Sequence, residues 1–208
     1  MDKENIRLNR SAIKNHLQAI HSVSATKRPD CYLMLGSYGE DPIRSAELSS
    51  YHRYYQVNEY EQMTEDVIRW SLERHRNVYL SYGLYSADLG RKAKESDVND
   101  MVGIVLDFDD VDARNYRSRL PLKPDLVVET SPGRFQASYF IEDPIAFDLA
   151  KQFATALTDK SKADFCSKNL AQVWRIAGTL NWPNEKKVRE GRPEEPYLAN
   201  FKESPCLS

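Results

Sequence analysis

Residues 101–110 read Met-Val-Gly-Ile-Val-Leu-Asp-Phe-Asp-Asp, and this stretch decides the fold. Met101–Phe108 is an almost unbroken apolar run of strand length that ends in acids, the pattern of a central strand covered on both faces. On a strand, residues i and i+2 point the same way, so Asp107 and Asp109 project together while Phe108 turns into the opposite layer. Repelling carboxylates at the end of a buried strand cost stability unless a counter-ion joins them. Two hard carboxylates on one rigid strand suit divalent cations about 4 Å apart, as used in phosphoryl and nucleotidyl transfer. The chain holds 16 Asp. Roughly one Asp-x-Asp is therefore expected by chance, and an acidic loop after a strand is the competing reading.

Downstream, DLVVET and RFQASYFIE are strand-like runs joined at Ser131-Pro132-Gly133-Arg134. Pro followed by Gly fits the central positions of a type II turn, which makes this a β-hairpin. Ser131 and Arg134 stand at the ends of that turn, and Gln136 and Ser138 share one face of the second strand. A hydroxyl, a guanidinium and a carboxamide around a tight turn suit phosphate oxygens, and an ordinary surface hairpin is the alternative. A helix is expected over Pro144–Leu157, with Ile145, Leu149, Phe153 and Leu157 recurring every four residues. Ala171–Ala177 (AQVWRIA) reads as a short strand carrying Arg175 between Trp174 and Ile176, where a guanidinium needs an anion or a carboxylate. From Lys186 to Arg192 there are four bases and one acid, and the tail from Asn181 reads as irregular surface structure.

Upstream, Ser11–Val23 forms an amphipathic helix with Ser11 as N-cap. Cys31–Leu35 reads as a short strand closed by a turn-rich Gly36–Pro42. Asn58–Arg76 is a second helix whose apolar stripe includes Met63, Val67, Trp70 and Leu72, and Asn77–Ser86 alternates like a strand. The order of elements is mixed α/β, with helices on a largely antiparallel sheet.

Composition sets the bounds. With 208 residues, 41% hydrophobic and 22 aromatics, the chain can bury a sizeable core and is not disordered. No apolar run approaches the roughly 18–20 residues that span a bilayer. Three cysteines (Cys31, Cys166, Cys206) without metal-type spacing point to a reduced, cytoplasmic protein and away from zinc. A net charge of -2 argues against a surface coated for gripping duplex DNA, so any nucleic-acid role rests on local charge.

In order, GIVLDFDD, ETSPGRFQASYF, the acid in KADF and WRIAGTLNWPNEKK resemble the archaeo-eukaryotic primase superfamily, especially its RepB-like primase-polymerase branch of plasmids, phages and mobile elements. The likeness spans about residues 77–192. It implies an α+β catalytic fold, an RRM-like antiparallel sheet with packed helices plus an N-terminal α/β part. On that reading residues 1–208 are one catalytic domain, with an N-terminal part (1–76), a motif-bearing core (77–192) and a tail (193–208). The resemblance implies that Asp107, Asp109 and Asp164 bind two Mg²⁺ or Mn²⁺ ions, with Asp159 or Asp148 as alternatives to Asp164. It implies that Ser131, Arg134, Gln136 and Arg175, with Lys187, hold the triphosphate of an incoming NTP or dNTP. Gln136 stands where the family motif has histidine, and Ala177 stands where it has proline before Gly178, which should loosen that turn. The implied partners are a single-stranded DNA template and a helicase or helical domain, and no membrane. A replication-initiation binding module and a metal-dependent nuclease are the other functions weighed.

Overall fold

The computed structural model describes residues 7–24, 27–39 and 50–203. The first helix, α1 (Arg10–Ser24), buries Ile13, Leu17 and Ile20, the stripe its spacing announces. Its N-cap is Asn9 rather than Ser11, because the Asn9 side-chain oxygen accepts the Ala12 amide at 3.0 Å. Strand β1 (Tyr32–Gly39) runs on through Gly36–Gly39, where a turn was expected. The rest of that segment, 40–42, and Cys206 lie outside the described residues.

Strand β2 (Tyr51–Gln56) pairs with β1, and α2 (Tyr60–Ser71) ends one turn earlier than its sequence suggests, leaving Leu72 64% exposed. Then β3 (Arg76–Ser81) and β4 (Gly83–Leu84) divide the expected single strand at Tyr82. That division lets the chain pass from one sheet to the other. The decisive strand is β5 (Asp100–Phe108), followed by the short helix α3 (Tyr116–Arg119) and the hairpin β6 (Leu126–Ser131) and β7 (Arg134–Ala146). Gly133 has φ +72°, as the second central position of a type II turn requires.

Pro144 belongs to β7 rather than to a helix start, and α4 spans Phe147–Ser161. Its inward face is Ala150, Ala154, Thr158 and Ser161, while Leu149 and Phe153 are 44% and 49% exposed. The small side chains let α4 lie close on β5 and β7. The expected Leu149–Phe153 stripe therefore faces outward. After β8 (Val173–Arg175) and β9 (Leu180–Asn181), the tail is ordered rather than irregular: α5 (Glu185–Arg189), β10 (Tyr197–Leu198) and β11 (Asn200–Glu203).

Two larger sheets result, one in the order β2-β1-β3-β8 and the other β11-β6-β7-β5-β4, with β9 and β10 as a small pair. All these pairings are antiparallel. Helix α1 packs on α2, β7 and β5, and α2 also packs on β1 to β3. Val102, Val105 and Leu106 of β5 are all buried. Each such side chain contributes roughly 1.5–3 kcal/mol by leaving water.

Candidate active site

The acids stand where β5 leaves the sheet. Phe108 is fully buried behind them, and Asp107 lies opposite Gln136 of β7 in the strand register. The end of the strand is pinned by two hydrogen bonds, from the Asp107 amide to Ser167 Oγ at 2.9 Å and from the Asp164 amide to the Asp107 carbonyl at 2.7 Å. Asp164 also caps the 3₁₀ turn Phe165–Lys168, accepting the Cys166 amide at 2.8 Å. That turn is what carries Asp164 to Asp107. Of the two alternatives, Asp159 is paired with Lys168 at 2.5 Å and Asp148 sits in the first turn of α4.

Burial, then the charge of Asp109 and of Asp164, pushes the Asp107 carboxyl up to about 7, against hydrogen bonds from Gln136 and Cys166. The Cys166 sulfur lies 3.8 Å from Asp107 Oδ2, and burial raises its thiol far above the ordinary range. A neutral thiol can donate to the carboxylate without adding charge. Asp109, just past the strand, is paired with Arg134 Nε at 3.0 Å, and Arg134 also donates to the Asp110 carbonyl. Hydrogen bonding by Arg119 holds Asp110 below the usual carboxylate range despite some burial, at 2.9 Å. The Arg119 guanidinium lies over the Phe108 ring, 4.9 Å from its centroid.

Gln136 bridges two elements. Its side-chain oxygen accepts the Arg175 amide at 3.0 Å, and its side chain hydrogen-bonds Asp107. Arg175 itself is buried. Its guanidinium donates to Asn77 Oδ1 (3.0 Å), the Leu180 carbonyl (3.3 Å), the Tyr79 hydroxyl (2.6 Å) and Asn181 Oδ1 (2.8 Å), and lies 4.1 Å from the Tyr79 ring centroid. Ser131 is buried at the turn and lines a cleft of about 200 Å³ with Asn181, Arg192 and Tyr197. Glu129 secures this corner: it accepts the Gly133 amide and the Tyr197 hydroxyl, both at 2.9 Å, and pairs with Lys202 at 2.6 Å. Burial alone would raise its carboxyl, but Lys202 and those donors hold it below the ordinary value.

Lys187 lies on α5, its amide bonded to the capping Asn184 at 3.0 Å. On the same short helix Lys186 pairs with Glu190 and Arg189 with Glu185, so part of the basic run is neutralised locally. The structure thus brings Asp107, Asp109, Asp164, Arg134, Gln136 and the Arg175 backbone together. Sequence reasoning missed Ser167, Cys166, Asn77 and Tyr79, which hold these groups in place, because nothing local marks them. Asn181, where the irregular tail is expected to begin, accepts a hydrogen bond from Arg175.

Among the described residues no three His, Cys, Asp or Glu side chains close on one point as they stand. The site nevertheless fits a divalent cation in kind: its donors are hard carboxylate oxygens, and burial together with the neighbouring Asp109 and Asp164 disfavours the Asp107 carboxylate in a way a cation would relieve.

No protein-family model and no curated protein matches the chain. Solved structures do. The AEP domain of the cyanophage S-2L primase-polymerase superposes with a TM-score of 0.63 at 14% identity, covering 96% of this chain and 92% of that one. Primase RepB′ gives 0.57 at 23% identity, covering 91% of this chain and 56% of its own. The RepB′ catalytic domain in complex with initiator DNA gives 0.55 at 22%, covering 91% and 85%. With its antiparallel sheets and packed helices, the chain has the same α+β fold as the AEP domain of that primase-polymerase and primase RepB′.

Proposed function

We propose that this chain is a primase or primase-polymerase catalytic domain that makes short primers on single-stranded DNA by template-directed nucleotidyl transfer. The observation that carries the reading is the 2.7 Å hydrogen bond that brings Asp164 against Asp107 at the end of β5, beside Gln136. Solved proteins of the same fold are a primase-polymerase and a primase bound to initiator DNA, which supports the same class of reaction here.

Asp107, Asp109 and Asp164 would hold two Mg²⁺ or Mn²⁺ ions. Bound there, the ions would lower the pKa of a 3′-hydroxyl and steady the pyrophosphate leaving group. Gln136 keeps the Asp107 carboxylate and the Arg175 backbone in fixed relation. Arg134 is paired with Asp109 and, with Ser131, Arg175 and Lys187, would contact the triphosphate of an NTP or dNTP. The template follows the basic residues and exposed aromatics through backbone charge and base stacking. Residues 1–208 act as one catalytic unit in the cytoplasm, working with a helicase or helical domain. Among the described residues no helix is long and apolar enough to cross a membrane.

The test is extension of primers on single-stranded DNA with NTPs, dNTPs and Mn²⁺. Asp107→Asn with Asp109→Asn should abolish incorporation while leaving the circular dichroism spectrum unchanged, and undiminished activity would refute the proposal. The Arg134–Asp109 pair favours one second reading, an origin-binding module that needs no metal. That reading predicts retained template with no extension, and shortened strands would instead mark a nuclease.

A further inference from the structure

Among the described residues three buried side-chain atoms lack a hydrogen-bond partner: Ser71 Oγ, His75 Nδ1 and Trp182 Nε1. They cluster at one place. Ser71 ends α2 and is 1% exposed, and the His75 ring stands 4.6 Å from the Trp182 ring. Ser71 and Trp182 line one cleft of about 380 Å³, together with Arg7, Arg10, Glu73 and Leu180. That volume is in the range of small-ligand sites. An unpaired buried polar atom costs about 1–3 kcal/mol, and two of these three belong to residues that line one opening, with the third beside Trp182.

The charges point the same way. Glu73 is taken up by Arg76 at 2.5 Å, whereas Arg7 and Arg10 have no ion-pair partner among the described residues. The cleft is therefore lined by an indole and a serine whose polar atoms are unpaired, and by two guanidiniums with no ion-pair partner among the described residues. A flat heterocycle with acceptors on its edge matches the first, and a phosphate matches the last. We infer that this cleft binds a nucleoside phosphate, free or as the phosphorylated end of a strand.

The cleft is joined to Arg175 by the Leu180 carbonyl and by Asn77. Asn77 accepts the Trp182 amide at 2.8 Å and donates to the Trp182 carbonyl at 3.0 Å, and the same oxygen accepts from Arg175 at 3.0 Å. Occupancy of the cleft thus bears on how Arg175 is held. The inference uses no metal and stands apart from the proposed transfer reaction.

The test is titration of the full chain in EDTA with AMP, and with a short deoxyoligonucleotide carrying a 5′-phosphate or a 5′-hydroxyl, by calorimetry and by tryptophan fluorescence. A free-nucleotide site binds AMP. A strand-end site binds the 5′-phosphorylated oligonucleotide about tenfold more tightly than its hydroxyl twin. Either result supports the inference if Arg7→Ala with Arg10→Ala weakens binding by about tenfold and Asp107→Asn with Asp109→Asn does not. Ser71→Ala should weaken binding without lowering the thermal midpoint, since it removes an unpaired atom, while a structural role for Ser71 would lower the midpoint. No binding of either probe, or binding indifferent to both Arg7 and Arg10, overturns the inference.

Discussion

The amide of Ala177 donates to Nδ1 of His16 at 3.0 Å, in the dry interior between α1 and the turn after β8. An accepting Nδ1 leaves the ring proton on Nε2, which donates to the Tyr82 hydroxyl at 3.0 Å. Tyr82 meets Ser138 of β7 at 3.0 Å, so one chain of hydrogen bonds ties the N-terminal helix to β7 and to the turn after β8. Burial pushes His16 down to about 4 from an ordinary 6.5.

The unfolded chain therefore takes up the His16 proton first as pH falls, and folding loses stability between about pH 6.5 and 4. The expected loss is on the order of 3 kcal/mol. Asp107, raised to about 7, acts in the opposite direction over the same window. Urea unfolding should show stability of wild type relative to His16→Gln falling as pH drops through that range. A pH-independent difference would contradict the buried neutral histidine.

A proline at 177 has no amide proton, so Ala177→Pro orphans His16 Nδ1. The turn after Arg175 is not loose with alanine there: Thr179 Oγ1 closes it onto the Ile176 carbonyl at 2.7 Å. Ala177→Pro should cost about 1–3 kcal/mol in denaturant midpoint measurements. A gain in stability would show that the amide contributes nothing.

Some elements were legible because their signals are local. The apolar run before Asp107, the Pro132-Gly133 turn and the stripe of α1 each need only neighbouring residues. Strands β2 (YHRYYQ) and β11 (NFKE) were not, because they are polar edge strands whose partners are supplied by register with β1 and β6. The α4 face was misread because alanines pack closer than Leu149 and Phe153 can. Within the site, the strand pattern places Asp107 at the end of β5, but the Gln136 link between Asp107 and the Arg175 amide, and the contacts of Arg175 with Asn77 and Tyr79, join residues far apart in the chain. Only folding brings such partners together.

Asp107→Asn should separate stability from activity. The wild-type carboxyl is disfavoured by burial and by two neighbouring acids, and the amide relieves both. Without divalent metal the variant should melt about 2–4 °C higher than wild type. Adding Mn²⁺ should raise the wild-type midpoint and leave the variant's unchanged, since only a ligand that binds the native state stabilises it. Equal responses of both proteins in scanning calorimetry would place the metal elsewhere.

Gly178 is where the last motif meets the start of α1. It has φ +88°, its amide donates to the Ala199 carbonyl at 2.7 Å, and its carbonyl accepts the Asn9 amide at 3.0 Å. A Cβ built there would stand 2.9 Å from the Ile13 amide nitrogen and closer still to the Asn9 carbonyl, both backbone atoms that cannot step aside. Gly178→Ala adds the left-handed penalty to that collision and should cost about 2–4 kcal/mol. The damage should spread, because Asn9 also caps α1 and α1 carries His16. Hydrogen exchange should accordingly show amides of α1 losing protection before those of β5. Uniform loss across both elements would mean that Gly178 supports the whole fold rather than this one junction.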